Sequence, residues 1–310
     1  MLDGHPGGGA VATLLTHPYL PILISGSGYV GGDCAVRVWD LETRTLLRKL
    51  ESHRSTVWGL SLSPDGKRLA SASFDGSVCI WDFETGERQL KLEYTDSYSI
   101  FSVVWNASGT QVAVSSSDKV YIYDTTIKAK GIQRPIRHWK ASGGTLWTIA
   151  SHPTDDLIAT GCGSGTISIW SWKGELIRKL EGHKQQVCAL VPNGVFLASV
   201  SNDKTVRIWS WTGECIRVLD GFGPESMADC GYVGGLNSLA WRDDTLVVIE
   251  DVIESDRTVH VWETSTDKWS PVRACKTGSS FGVAVLVDGG VVCGATNSMG
   301  KEKIAVWKTN

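Results

Sequence analysis

Apolar and polar residues alternate in short bursts along this chain, and the clearest run lies between His53 and Leu92. There the stretches VWGLSL, RLASAS, SVCIWD and RQLKL repeat apolar residues with the period of a strand. Between them stand Pro64-Asp65-Gly66, Asp75-Gly76 and Thr85-Gly86. These are turn formers: proline fixes φ, glycine accepts positive φ, and aspartate hydrogen-bonds its own backbone. The pattern predicts four short antiparallel strands joined by tight turns. One such sheet cannot bury both of its faces, so it must stack against others like itself to obtain a core.

The unit recurs. An aromatic residue closes the third strand at Trp39, Trp81, Tyr123, Trp170, Trp209, Trp262 and Trp307, with successive spacings of 42, 42, 47, 39, 53 and 45. That is close to the period of roughly 40–45 residues expected of a four-stranded repeat. Seven units fill the 310 residues with no linker between them, which predicts one closed domain over 1–310.

Polar residues recur at fixed places as well. His53, Ser71, Asp75 and Trp81 in the second unit correspond to His183, Ser199, Asp203 and Trp209 in the fifth, and the first unit aligns as His5, Ser25, Asp33 and Trp39. In these features the chain resembles the WD40-repeat family. The resemblance implies an all-β, seven-bladed β-propeller of four-stranded antiparallel blades, in which each such tetrad is a structural hydrogen-bond network. Units three, four, six and seven lack parts of it; Tyr123 replaces the tryptophan, and no aspartate precedes Trp170 in the expected place. Those blades are expected to rely on packing.

Composition narrows the function. Charged residues make up 20% and the formal net charge is −3, so no basic surface is offered to nucleic acid. No apolar stretch approaches the ~20 residues that span a bilayer, and MLDGHPGGGA has neither a basic start nor an apolar secretory segment. The eight cysteines are dispersed without a CxxC pair, which fits reduced, structural thiols in an intracellular protein, cytoplasmic or nuclear.

Several motifs imitate chemistry. Gly26-Ser27-Gly28-Tyr29-Val30-Gly31 spells a dinucleotide fingerprint, but the strand-like CAVRVWD follows where a helix would have to open, so a turn in the first blade is expected. His53, Ser71 and Asp75 could be mistaken for a hydrolase triad, yet a triad is unique and this set recurs. Asn106-Ala107-Ser108 reads as the loop after the first strand of blade three rather than as a glycosylation site. No catalytic residue, metal or cofactor is assigned.

Departures from the repeat point to function, because insertions map to particular faces of a ring. The second strand reaches its tryptophan in 12 positions from Leu69 to Trp81, but in 16 from Leu246 to Trp262 and 16 from Val291 to Trp307; Ser25 to Trp39 takes 14 where Ser71 to Trp81 takes 10. Blades six, seven and one are thus each longer by four between their second and third strands. With the enlarged connection Asp220 to Gly235, these loops are expected to crowd one sector of the top face, with tips more mobile than the strands. From Asp220 to Asp256 the acidic residues are Asp220, Glu225, Asp229, Asp243, Asp244, Glu250, Asp251, Glu254 and Asp256, against Arg242 alone.

The start of the first strand carries Ala12, Trp58, Phe101, Trp147, Cys188, Asn237 and Phe281 in successive units. The resemblance places this column near the top mouth of the central channel, where relatives that clasp arginine- or lysine-bearing peptides stack aromatics. Trp58, Phe101, Trp147 and Phe281, with Glu250, Asp251, Glu254 and Asp256 for charge, are the candidate binding residues. The expected function is a non-enzymatic protein-interaction scaffold taking a basic peptide or protein segment, with no membrane contact.

Alternatives remain. A ubiquitin-binding adaptor is one, since VCALVPNGVFLASVSNDKTVRIWSWTGECIRVL and SSFGVAVLVDGGVVCGATNSMGKEKIAVW are similar to blades of the ubiquitin-binding propellers in phospholipase-A2-activating-protein relatives. A propeller enzyme is the other, without residues to support it. The N-terminal LDGH resembles LEGH of Leu180 to His183, which predicts both termini in blade seven. Only Met1 and Leu2 precede Asp3, so that blade is expected to be nearly three-stranded, or to belong to a longer native chain, with an open edge for a strand-donating partner.

Overall fold

The computed structural model describes residues 2–3, 5, 10–28, 33–93, 99–127, 133–220, 239–250, 258–266, 268–272, 283–286, 290–296 and 302–307. Blade two follows its sequence pattern closely: Val57–Leu62, Arg68–Ser73, Ser77–Asp82 and Arg88–Glu93 pair in order as an antiparallel sheet. Its turns close on Gly66, Gly76 and Gly86 at φ of +70°, +77° and +76°, a conformation that costs an L-residue with a Cβ roughly 1–2 kcal/mol. The other sheets repeat this order. Their innermost strands are Ala10–Thr16, Val57–Leu62, Ser102–Trp105, Leu146–Ser151, Val187–Pro192, Leu239–Arg242 and Val283–Val285. Each touches the next, and the last touches the first, so the sheets close into a ring.

The core lies between blades. Seven apolar clusters of described residues each join two neighbours: Trp81, Leu69 and Val57 of blade two meet Ile24 and Val38 of blade one, and Tyr121, Tyr123 and Trp105 of blade three meet Ile80 and Leu92 of blade two. Burying a side chain of this size stabilises by about 1.5–3 kcal/mol. Every blade therefore needs both neighbours. Arginines add polar ties across the same seams: the Arg68 guanidinium lies 4.6 Å from the Trp105 ring centre and reaches Gly109 O and Thr125 Oγ1 of blade three.

Six blades have four full strands; the seventh is partial. Its strands are Val283–Val285, Val291–Thr296, Glu302–Trp307 and the two-residue Leu2–Asp3, which pairs only with Ile304 and Lys303. The two ends of the chain thus meet in one sheet. Leu2 still contributes to closure, because it is buried with Trp39, Ala284 and Ile304 between blades seven and one.

In an antiparallel blade, connections alternate between its two ends. The turns between first and second strands define one face, here called lower; those between second and third strands, with the links from blade to blade, define the upper. In blades one, three, four and five a single side chain caps the lower turn between first and second strands. Asn106 Oδ1 accepts from the amides of Thr110 and Gln111 at 2.9 Å, Asn193 Oδ1 from Val195 and Phe196, and His17 and His152 use Nδ1 in the same way. Asn106 is therefore occupied as a turn cap.

Backbone register confirms the four-residue insertions: Leu23, Leu246 and Val291 face Trp39, Trp262 and Trp307 as Leu69 faces Trp81. The insertions enter and leave their blades at the upper face. Their tips, 29–32, 251–257 and 297–301, and the connection at 221–238 lie outside the described residues. One expectation is corrected. Gly26, Ser27 and Gly28 belong to the strand Ile22–Gly28, where they pair with Thr13, Val11 and Ala10 and form no turn, while residues 29–31 of the motif lie outside the described residues. Glycine at 26 is needed for space, because a Cβ there would come within 2.6 Å of Thr13 and 2.9 Å of the Val57 carbonyl of blade two.

Candidate functional site

Three polar networks stand on the upper side. In blade two, Trp81 Nε1 donates to Ser71 Oγ at 2.8 Å, Ser71 lies 2.7 Å from His53 Nε2, and His53 Nδ1 lies 3.2 Å from Asp75. Asp75 also accepts from the Arg54 amide at 2.8 Å, which fastens the link from the preceding blade to the turn Phe74–Gly76. Blade five repeats these contacts with Trp209, Ser199, His183, Asp203 and Lys184. Blade one repeats them with Trp39, Ser25, His5 and Asp33. Each serine hydroxyl is thus engaged by both the indole and the imidazole of its own blade.

The three histidines differ in charge preference. Burial opposes protonation of His53, but the Asp75 carboxylate and the neighbouring Cys79 sulfur override it and raise its pKa to about 9. At the place of Cys79, blades one and five carry Arg37 and Arg207. Burial and the nearby guanidinium there outweigh the aspartate, and both His5 and His183 are held below the ordinary histidine value. In blade one Arg37 itself donates to His5 Nδ1 and to Asp33. Burial opposes the charged form in all three tetrads; Cys79 adds to the pull of the aspartate in blade two, whereas Arg37 and Arg207 oppose it in blades one and five.

The column Ala12, Trp58, Trp147 and Cys188 coincides with a break in strand pairing. Register skips from Val11 to Thr13, Val57 to Gly59, Leu146 to Thr148 and Val187 to Ala189. Phe101 takes the same place, its amide donating to Ser115 O beside the pair Ser102 and Ser115. A bulge leaves one residue unpaired and re-aims its side chain. Hydroxyls hold the entry to these bulges: Ser73, Ser116 and Ser201 donate to the carbonyls of Ser55, Ser99 and Gln185 at 2.9–3.0 Å.

The aromatic members pack in an arc over blades two to four. Ring centres are 5.1 Å apart for Trp58 and Phe74, 5.4 Å for Phe74 and Phe101, and 4.9 Å for Phe101 and Trp147. Trp58 and Phe101 are 4% and 8% exposed, so they back the arc, while Phe74 and Trp147 are half-buried and present its free surface. Small residues, Ala12 and Cys188, flank it in blades one and five.

The sequence profile described as WD domain, G-beta repeat matches residues 1–40, 44–82, 133–171 and 174–210, half of the chain. The chain belongs to the WD40-repeat family. It is 26% identical over 174 residues to small ribosomal subunit protein RACK1y of Oryza sativa subsp. japonica, covering 56% of this chain and 50% of that protein. It is 27% identical over 184 residues to nuclear distribution protein nudF of Aspergillus niger, covering 59% and 35%. Nuclear distribution protein PAC1 of Arthroderma otae is 28% identical over 209 residues, covering 62% and 40%. The chain spans half or less of these curated relatives.

The profile skips blade three, and the structure of this WD40 ring shows why. Val114 occupies the place of Ser71 and Tyr123 that of Trp81, so no hydroxyl meets an indole there. Blade four keeps half a tetrad: Trp170 Nε1 donates to Thr160 Oγ1 at 2.9 Å. Sequence reading missed Thr160 because only serine was sought; its place ten residues before the tryptophan was the available signal. It missed Phe74 because that residue joins Trp58 and Phe101 through space.

The remaining candidates are dispersed. Phe281, Asp251, Glu254 and Asp256 lie outside the described residues, and Glu250 ends the second strand of blade six at the upper face. Asp243 and Asp244 do not join it: they form the turn between Leu239–Arg242 and Thr245–Glu250, at the opposite end of that strand. The acidic run that looks continuous along the chain is split between two faces.

Proposed function

We propose that this chain is a non-enzymatic interaction ring that holds a basic peptide segment of a protein partner against the upper aromatic arc. The observation that carries this reading is that Trp58 and Trp147 sit at bulges near the starts of the inner strands of blades two and four, with Phe101 immediately before the inner strand of the blade between them. Bulges remove Trp58 and Trp147 from the strand alternation, and their rings pack with Phe74 and Phe101, where a guanidinium or ammonium can sit on a ring face for about 0.5–2 kcal/mol. Trp147 and Phe74 supply contact; Trp58 and Phe101 fix them from behind. The acidic residues Glu250, Asp251, Glu254 and Asp256 steer a cation toward the same face.

The test is binding of an arginine- and lysine-rich peptide library to wild type, Trp147→Ala and Glu254→Lys at two salt concentrations. Trp147→Ala loses about 30-fold in affinity, the equivalent of ~2 kcal/mol at a hot spot. Glu254→Lys slows association and flattens its salt dependence. Unchanged affinity and rate in both folded variants would overturn the reading.

A second contact is favoured by the pairing in blade seven, where Leu2–Asp3 faces Lys303 and Ile304 but no described strand faces Ala305 to Trp307 from outside. A partner that extends this edge by one strand would slow amide exchange at those three residues.

A further inference from the structure

Arg242 reaches across the lower mouth of the ring. It ends the inner strand of blade six, yet it donates through a terminal nitrogen to the carbonyl of Pro18 in blade one at 2.7 Å. Blade seven stands between these two in the ring, with the three-residue inner strand Val283–Val285. Thr16 Oγ1 ties blade one to Val285 O at 2.9 Å. Above the Arg242 bridge lies a cavity of about 430 Å³ walled by Leu14, Leu15, Val191, Leu239, Trp241 and Val283. That volume falls within the roughly 300–1,000 Å³ of ligand pockets.

The lining fixes the chemistry of an occupant. Its walls are mostly apolar, and the charged residues among them are Arg242, whose side chain is 19% exposed, and Asp243 beside it. Asp243 lies 4.0 Å from Arg242 Nε with its own side chain 91% exposed, where water leaves an attraction of only about 1 kcal/mol. A guanidinium carries five donors in a planar fork that matches a carboxylate. One donor is engaged by Pro18. The turns at this same end expose the apolar side chains of Tyr19, Leu20 and Val195 by 69%, 44% and 66%.

We infer that this lower cavity is a second binding site, which takes a protein segment bearing an aliphatic or aromatic side chain next to a carboxylate. The side chain fills the space between Leu14, Val191 and Leu239, and the carboxylate meets Arg242. The site is opposite the aromatic arc in both face and charge. A ring with both would join a basic segment above to an acidic, apolar one below.

The test uses the full chain and fluorescein-labelled Gly-Ser-Gly-Leu-Glu-Gly-Ser-Gly, with versions in which Leu becomes Ala and Glu becomes Gln or Lys. Wild type binds the parent peptide saturably, and affinity falls about tenfold for Ala and tenfold or more for Lys. Arg242→Glu reverses the preference between Glu and Lys peptides, and Ala240→Trp, which fills the cavity, abolishes binding. Arg242→Lys keeps the charge but not the fork and binds several-fold more weakly. Trp147→Ala leaves this binding unchanged, whereas basic peptides still bind Ala240→Trp, so the two faces fail independently. No saturable binding by wild type up to about 1 mM, or no discrimination among the peptides, overturns the inference even if a substituted ring fails to fold.

Discussion

Blades two and three are neighbours with the same four-strand order but different means of holding it. Blade two links its entry to its second turn through Arg54, Asp75, His53, Ser71 and Trp81. Blade three has two residues, Ser117 and Asp118, where blade two has Phe74, Asp75 and Gly76, and its Asp118 turns outward to Lys140 at 2.9 Å. In place of the tetrad it buries Val114, Tyr121 and Tyr123 against Ile80 and Leu92 of blade two. Strand order therefore needs only the alternation of apolar residues and the turns. The tetrad adds a fixed position for the upper links.

The comparison breaks most readily in blade three. Tyr123→Ala, which removes a buried ring from the seam with blade two, is expected to cost about 3–5 kcal/mol in urea denaturation. His53→Ala should cost less, about 2–3 kcal/mol, by leaving Asp75 and Ser71 short of a partner. It should also speed exchange of the Arg54 amide while leaving the strands of blade three protected. Equal exchange at Arg54 in both proteins would show that the tetrad does not hold the link.

Titration sharpens the comparison among tetrads. His53, with its pKa raised to about 9, adds stability that is complete below the unfolded value near 6.5 and is lost as pH rises through 9. His5 and His183, held below the ordinary value, act oppositely: the folded ring favours their neutral forms and loses stability as pH falls below about 6.5. Proton-detected imidazole titrations should find His53 charged and His183 neutral at pH 7, and His53→Gln should flatten the decline in melting temperature between pH 7 and 9. The smallest effect concerns the turn. Lys204 holds φ +65° where blade two has Gly76, so Lys204→Gly should stabilise by about 0.5–1 kcal/mol in the same denaturation assay.

Much of this was legible in the chain because it is local. Alternation marks strands, Gly66, Gly76 and Gly86 mark turns that need positive φ, and ten-residue spacing marks Ser71 with Trp81 and Ser199 with Trp209. Even the aligned set His5, Ser25, Asp33 and Trp39 came together despite its insertion, since added residues at a hairpin tip leave strand register untouched. The aromatic column was legible as a column, but not as a row of bulges. A bulge is a property of pairing between two strands, and Val57 to Gly59 looks continuous until Ser73 and Ala72 are placed opposite. Sequence distance misled for the acidic residues of blade six, because a six-residue strand carries Glu250 to one face and leaves Asp244 at the other.

The sequence by itself determined the repeat, the strand order within each blade and the membership of three tetrads, all set by spacings within about 30 residues. Tertiary structure decided which side chains share a surface. Phe74 reaches Phe101 of the next blade, Arg37 rather than a cysteine sits against His5, and Arg242 meets Pro18 from 224 positions away. Ring closure brings such residues together by packing apolar wedges between blades, and that force is proportional to buried area and indifferent to chain distance.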